Sequence, residues 1–205
     1  MAKIKFTKGE LKRQRDALKQ YERYLPTLQL KKQQLQIEIA HQLSLFDEKK
    51  ANLDKKKHQA LTWAGLLTES DVEVKPYLKD FKVYRKALSI AGVDIPIVEG
   101  TLFEPAEYDL LSCPLWMDLG VDALREIVSL QEEIKCIEEG IGILRQELRT
   151  TAQRVNLFEK IKIPQAEENI RLIKIYIGDQ MANAVGRSKI AKRKIEALSL
   201  EVMSV

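Results

Sequence analysis

Glycine and proline are scarce in this 205-residue chain, with nine and six copies, and aromatic residues make up only 6%. That poverty, beside abundant Leu, Ile, Lys, Glu and Gln, points to long helices. The apolar residues are spread in stripes, so the core is expected to be a seam and not a ball. No apolar run approaches the roughly 18 residues needed to span a bilayer, which excludes a transmembrane helix. The basic opening MAKIKFTKGELKRQR has no apolar stretch of the kind a signal peptide carries. The chain is therefore expected to be soluble or peripheral to a membrane. Only two cysteines are present, Cys113 and Cys136. Their spacing fits no metal site and nothing suggests a stapled secreted scaffold; a disulfide stays open, with reduced thiols in the cytoplasm as the expectation. The formal charge of +4 is too mild to imply nucleic acid by itself.

Catalytic signatures are missing as well. There is no GxxxxGK[ST], no HExxH and no CxxC. His41 and His58 share a predicted helix but are not one or two turns apart, so they read as surface residues. The pairs Glu132–Glu133, Glu138–Glu139 and Glu167–Glu168 lie outside the apolar seam and read as solvated faces. Gly140 and Gly142 in EEGIGIL follow a helix and not a strand, which argues against a phosphate cradle; their missing Cβ atoms point instead to close approach of another chain. No active site, cofactor or metal is expected.

What is present is heptad order. Residues 1–67 form a first segment in which Leu11, Leu18, Leu25, Ile39, Phe46, Leu53 and Ala60 share one phase, interrupted at Lys32. Tyr21, Leu28, Leu35 and Trp63 occupy the companion positions, and the pattern predicts a coiled coil. Thr7 and Glu10 are spaced as a reciprocal capping box. Pro26 is expected to kink or interrupt this helix. Residues 121–205 form a last segment with a stronger repeat. Ile127, Ile134, Ile141, Leu148 and Val155 recur every seven residues, with Leu130, Ile137, Leu144, Thr151 and Phe158 alternating. Such a helix would be on the order of 100 Å long and needs a partner along its length. The first segment is the available one, so the predicted fold is all-α: a long antiparallel two-helix coiled coil. Between them, residues 68–120 hold Pro76, Pro96, Pro105 and Pro114. VDIPIVEGTLFEP reads as strand, turn at Gly100, strand, giving a small central β-hairpin at the end of the helices away from the termini.

The last repeat breaks at one place. Beyond Val155 and Phe158 the next seam positions would be Lys162, Gln165 and Asn169, yet the apolar residues fall at Ile163, Ile170, Ile173 and Ile177. The seam slips by one residue, and Pro164 sits inside the slip. Pro164 is read as a kink where the left-handed supercoil is locally unwound; the bland reading is a proline tolerated at a bend. Charge is also uneven. Lys3, Lys5, Lys8, Lys12, Arg13, Arg15 and Lys19 crowd one end, and Arg187, Lys189, Lys192, Arg193 and Lys194 the other. An antiparallel hairpin is expected to bring both runs to one tip, suited to nucleic acid, an acidic membrane or an acidic protein cavity, or else simply solvated.

RVNLFEKIKIPQAEENIRLIKIYI resembles the C-terminal signature of the D subunit of the V-type (V/A-type) rotary ATPases, through Arg154-Val155-Asn156 and Ile163-Pro164. TKGELKRQRDALKQYERYLPTLQLKKQQL is similar to that family's opening helix, and IAGVDIPIVE and PLWMDLGVDAL to its central segment. The likeness covers nearly the whole chain. Departures are MANAVGRSKIAKRK, with Gly178 and Gly186, where the family has an acidic and aromatic stretch, and Pro26 where a small residue is usual. The resemblance implies a non-catalytic central-stalk rotor shaft. Its termini would enter the catalytic hexamer of A and B subunits. Its lower part would bind the small F subunit of the stalk, and its base the funnel-shaped C/d subunit on the membrane ring. The basic residues Lys3 to Arg13 and Arg187 to Arg193 would then touch the hexamer. The alternative is a helical-hairpin module using a basic tip on nucleic acid.

Overall fold

The computed structural model describes residues 5–63, 65, 74, 76–79, 81–105, 114 and 116–203. The elements run α1 (Lys8–Trp63), a single-turn α2 (Pro76–Lys79), β1 (Phe81–Ile90), β2 (Val93–Phe103), α3 (Met117–Leu157), a π-helical turn (Phe158–Lys162) and α4 (Ile163–Met203). Long antiparallel helices and one small β-hairpin make the fold all-α, as the heptads require. Two compact units are distinguished: Met1–Gln29 with Gln153–Val205, and Leu30–Ala152.

α1 starts where the sequence places its cap. The Glu10 backbone N–H donates to Thr7 Oγ1 at 3.2 Å. The Glu10 carboxylate accepts from Gln14 Nε2 at 2.8 Å and lies 3.8 Å from Arg13, so it serves the first turns of the helix. Pro26 does not interrupt α1, contrary to the sequence expectation. Pro26 is exposed while Leu25 and Leu28 are half-buried beside it. Packing on the seam side therefore outweighs one missing backbone bond.

In the unit Leu30–Ala152, cross-helix ion pairs register the antiparallel helices. Lys31 meets Glu147 at 2.9 Å, Lys49 meets Glu133 at 2.8 Å and Lys56 meets Glu126 at 2.6 Å. Leu35, Ile39, Leu144 and Ile95 form one core cluster, flanked by Leu43, Val93 and Leu148. Val74, Met117 and Val121 form another, with Trp116, Tyr77 and Leu124 against it. There a Cβ on Gly120 would stand 3.1 Å from the Trp116 ring and 3.5 Å from Trp63, so only glycine fits without displacing a ring.

The hairpin differs from the expectation in two respects. Its turn is Ala91–Gly92, both at positive φ (52° and 73°), as a two-residue hairpin loop of the primed type demands. Gly100 is not the turn; it lies inside β2 opposite Tyr84. The register then jumps, with Arg85 opposite Val98, leaving Glu99 as a bulge. The missed partner strand, FKVYRKALSI, is largely exposed, so it has no clean apolar alternation to announce it. Nor does the hairpin cap the far end of the helices. It lies along them: Ile95 is buried against Leu35 and Leu144, and Thr101 Oγ1 donates to Ser129 Oγ at 2.9 Å. Gly140 faces Ile95 here, and a Cβ on it would stand 3.6 Å from the Ile95 Cβ, an ordinary van der Waals contact that an alanine could also make. The chain that approaches Gly140 is the protein's own.

Arg125 fixes the open end of the hairpin. Its Nη2 donates to the Glu104 carbonyl at 2.6 Å and to the Tyr77 carbonyl at 3.4 Å, and its guanidinium lies 5.3 Å from the Phe103 ring centroid. Its Nε is buried without a partner. One side chain of α3 thus joins α2 and the hairpin exit.

Candidate functional site

The unit Met1–Gln29 with Gln153–Val205 holds the described residues of both basic runs, the seam slip and all of α4. Two aromatic contacts set its register. Tyr21 stacks on Phe158 with centroids 5.3 Å apart, and Phe6 meets Tyr176 at 5.1 Å. Phe6 immediately precedes the Thr7 cap, a place where an apolar residue commonly fixes the entry of a helix. The position of Phe6 before the cap was the available sequence signal for this contact.

The π turn gives the slip a physical cause. The Ile163 N–H donates to the Phe158 carbonyl five residues back, with helical dihedrals at Leu157 and Ile163 on either side. Such a turn accommodates one extra residue, so the apolar phase after it lags by one. The buried or half-buried apolar residues after it are accordingly Ile163, Ala166, Ile170, Ile173 and Ile177, continuing from Val155 and Phe158 with one residue added, with Asn169 half-buried beside Ile170. Pro164, itself exposed, follows directly. Having no N–H, it could not complete the next helical bond in any case, and the widened turn relieves the collision its ring would cause. Among the other seam residues Ile127, Ile141 and Val155 are buried, and Ile134 and Leu148 half-buried. Thr151 is the single buried polar side chain among the described residues.

The basic residues fall into two groups that do not share one level. Lys5, Lys8, Lys12, Arg13, Arg15 and Lys19 are exposed on and just before the start of α1. Lys3 lies outside the described residues. Arg187, Lys189, Lys192, Arg193 and Lys194 are exposed on α4. Because α1 begins beside Tyr176, Arg187 stands about 16 Å further along α4 at ~1.5 Å per residue. The expectation of one shared tip is corrected to a stagger: α4 outruns α1. From Gly178 to Ala197 every residue is exposed, including Met181 (51%), Val185 (56%), Ile190 (58%) and Ile195 (67%). Charges on this stretch are little engaged. Lys192 is 3.6 Å from Glu196, and Arg187 Nε donates to the Asn183 carbonyl at 3.4 Å. Lower on α4, Arg171 forms a two-bond pair with Glu168 at 2.7 and 2.8 Å. The hydrogen bond from Arg171 holds the Glu168 carboxyl below its usual range.

Chemically, this surface offers cations and isolated apolar side chains on a lone helix, and no nucleophile or acid–base pair. Among the described residues no cluster of His, Cys, Asp and Glu could hold a metal ion, and no helix is long and apolar enough to cross a membrane. His41 is exposed, with Nδ1 3.7 Å from Glu38, and His58 is exposed.

Comparison with known proteins gives these features a context. The sequence profile of the family described as the D subunit of ATP synthase matches residues 10–193. The chain is 44% identical over 195 residues to the V-type ATP synthase D subunit of Borreliella burgdorferi, covering 95% of this chain and 96% of that one. It is 32% identical to the V-type ATP synthase D subunit of Chlamydia pneumoniae, over 94% and 93% of the two chains. The corresponding protein of Chlamydia trachomatis serovar L2 is 31% identical, over 95% and 97%.

Proposed function

The chain belongs to the family of ATP synthase D subunits, and from that premise we propose that it is the non-catalytic central-stalk shaft of a V-type rotary ATPase. It carries torque between the catalytic hexamer of A and B subunits and the membrane ion-translocating ring. The small F subunit of the stalk and the funnel-shaped C/d subunit are its other partners, and it works at the cytoplasmic side, peripheral to the membrane. The observation that carries this reading is α4 beyond Tyr176. A helix gains most of its stability from packing one face, and this stretch has no such packing and exposes four large apolar side chains, so it calls for a surrounding sleeve. Lys5, Lys8, Lys12, Arg13, Arg187, Lys189, Lys192 and Arg193 are the proposed contacts with that sleeve, and Lys3 belongs with them by sequence. Exposed ionic contacts are worth roughly 0–1 kcal/mol each. Weak contacts suit a bearing that must break and remake them in rotation. Val155, the π turn and Pro164 give the shaft a local change of twist, which makes it present a different face to each member of the hexamer in turn.

The test is reconstitution. Truncation after Ala182 removes the Arg187–Arg193 run and three of the four exposed apolar residues. It is expected to weaken assembly with the hexamer and to spare binding of the lower stalk partners. Coupled hydrolysis and ion pumping at full-length levels would reduce the basic run to a solvated end. If binding to DNA or RNA falls steeply with salt in the isolated chain, the nucleic-acid alternative gains.

A further inference from the structure

Beneath the middle of the hairpin, in the unit Leu30–Ala152, lies a cavity of about 280 Å³. The hairpin is held on both sides of it. At the turn end Ile90, Ala91 and Val93 pack on the core, and at the open end Arg125 and the Thr101–Ser129 hydrogen bond hold the strands. Leu45, Ile97 and Ile137 supply apolar wall, and Gln42 and the Lys49–Glu133 pair supply polar groups. Cys136, a free and buried thiol, also lines the cavity, as does Gly140, which contributes no side chain.

We propose that this cavity is a binding site for a small, neutral, aromatic molecule bearing one hydroxyl or amide head, seated between β2 and the helix pair. Size supports this class. A buried apolar cavity of about 150 Å³ takes benzene, so this one takes a bicyclic ring. Shape supports it, because the space is a slot between a strand and two helices, which suits a flat body. The charge pattern favours a neutral ligand over an ionic one. Lys49 Nζ and Glu133 Oε2 already neutralise each other at 2.8 Å. An anion at Lys49 would also meet the Glu133 carboxylate, and a cation at Glu133 would also meet the Lys49 ammonium, so neither finds a net countercharge. A neutral head that both donates and accepts can join the pair and the Gln42 amide without breaking either. Burial raises the Cys136 thiol above its ordinary value, keeping it protonated, and a neutral polarizable sulfur favours an aromatic neighbour.

The experiment uses the full chain with isotope-labelled isoleucine methyl groups and 2-naphthol as the probe. Saturable shifts are expected at Ile95, Ile97 and Ile137, with Ile37 and Ile195, both far more exposed, unmoved. The Cys136→Phe variant fills the slot and is expected to weaken binding at least about tenfold. Should that variant fail to fold, the wild-type chain decides by itself: 2-naphthol is expected to bind at least about tenfold more tightly than the anion 2-naphthoate. Absent or non-saturating shifts, equal shifts at the exposed isoleucines, or equal affinity for the anion would each overturn the assignment.

Discussion

Adding and removing one residue at the π turn should have opposite consequences. An alanine inserted after Ile161 turns everything beyond it by about 100°. Ala166, Ile170 and Ile173, which are 3%, 8% and 0% exposed, then leave the seam. Losing the burial of the two isoleucines alone costs about 3–6 kcal/mol at roughly 1.5–3 kcal/mol each. Deleting Ile161 does the reverse. Val155 is then followed seven residues later by the present Ile163, and Phe158 by the present Ala166, so an ordinary α-helix keeps the seam in phase. That deletion leaves Pro164 in an unwidened helix, where it costs about 3 kcal/mol. Combining it with Pro164→Ala removes this cost, and the double variant should be at least as stable as the wild type. Urea unfolding followed by circular dichroism ranks the variants: double variant first, single deletion intermediate, insertion last. The reasoning is refuted if insertion and the double variant are equally destabilising. That result would mean the π turn does not set the phase of α4.

Leu144, fully buried with Leu35, Ile39 and Ile95, should cost about 2–5 kcal/mol as Leu144→Ala, whereas Ile37→Ala, at a position 71% exposed, should cost little; thermal melts that fail to separate them would displace the seam. Gly92→Ala forces a left-handed φ on a side chain and should cost about 1–2 kcal/mol, while Gly100→Ala, in open space, should be nearly silent, an order that a turn at Gly100 would invert. Replacing Phe81–Phe103 by a short Gly-Ser bridge should leave the helices folded but alter partner binding or ATPase rate in the assembled complex; wild-type behaviour in both assays would remove any role for the hairpin. Pro164→Ala alone should raise helix stability while lowering the ratio of ions pumped to ATP hydrolysed, and an unchanged ratio would separate this proline from coupling.

Elements whose signal is periodic can be read along the chain without coordinates. Heptads carried by Leu11 to Ala60 and by Ile127 to Val155 specify long helices because a 3.5-residue repeat has no other use, and two such stripes in one chain ask to be paired. Thr7 and Glu10 mark the start of α1 through local hydrogen bonding alone. The one-residue slip near Pro164 was also legible, since a phase error is visible in the order of residues. Its mechanism was not, because an extra residue can be taken up by a bend, a looser supercoil or a π turn, and only backbone geometry chooses among them.

The remaining features depend on contacts between distant residues. β1 is an exposed strand with Lys82, Arg85 and Lys86 in it, and strands that bury little leave little alternation to read. Gly100 and Gly92 look alike in sequence; only the pairing of Ile90 with Val93 shows which one turns the chain. The hairpin's place along the helices rests on Ile95 packing with Leu35, Ile39 and Leu144, a match between residues far apart in sequence. The stagger of the two basic runs has the same origin. Charge composition counts the cations, but the contact of Phe6 with Tyr176 fixes how far α4 extends past α1, and so which cations stand on a lone helix. Local preferences are written along the chain, whereas register and stagger come from side chains that meet only after folding.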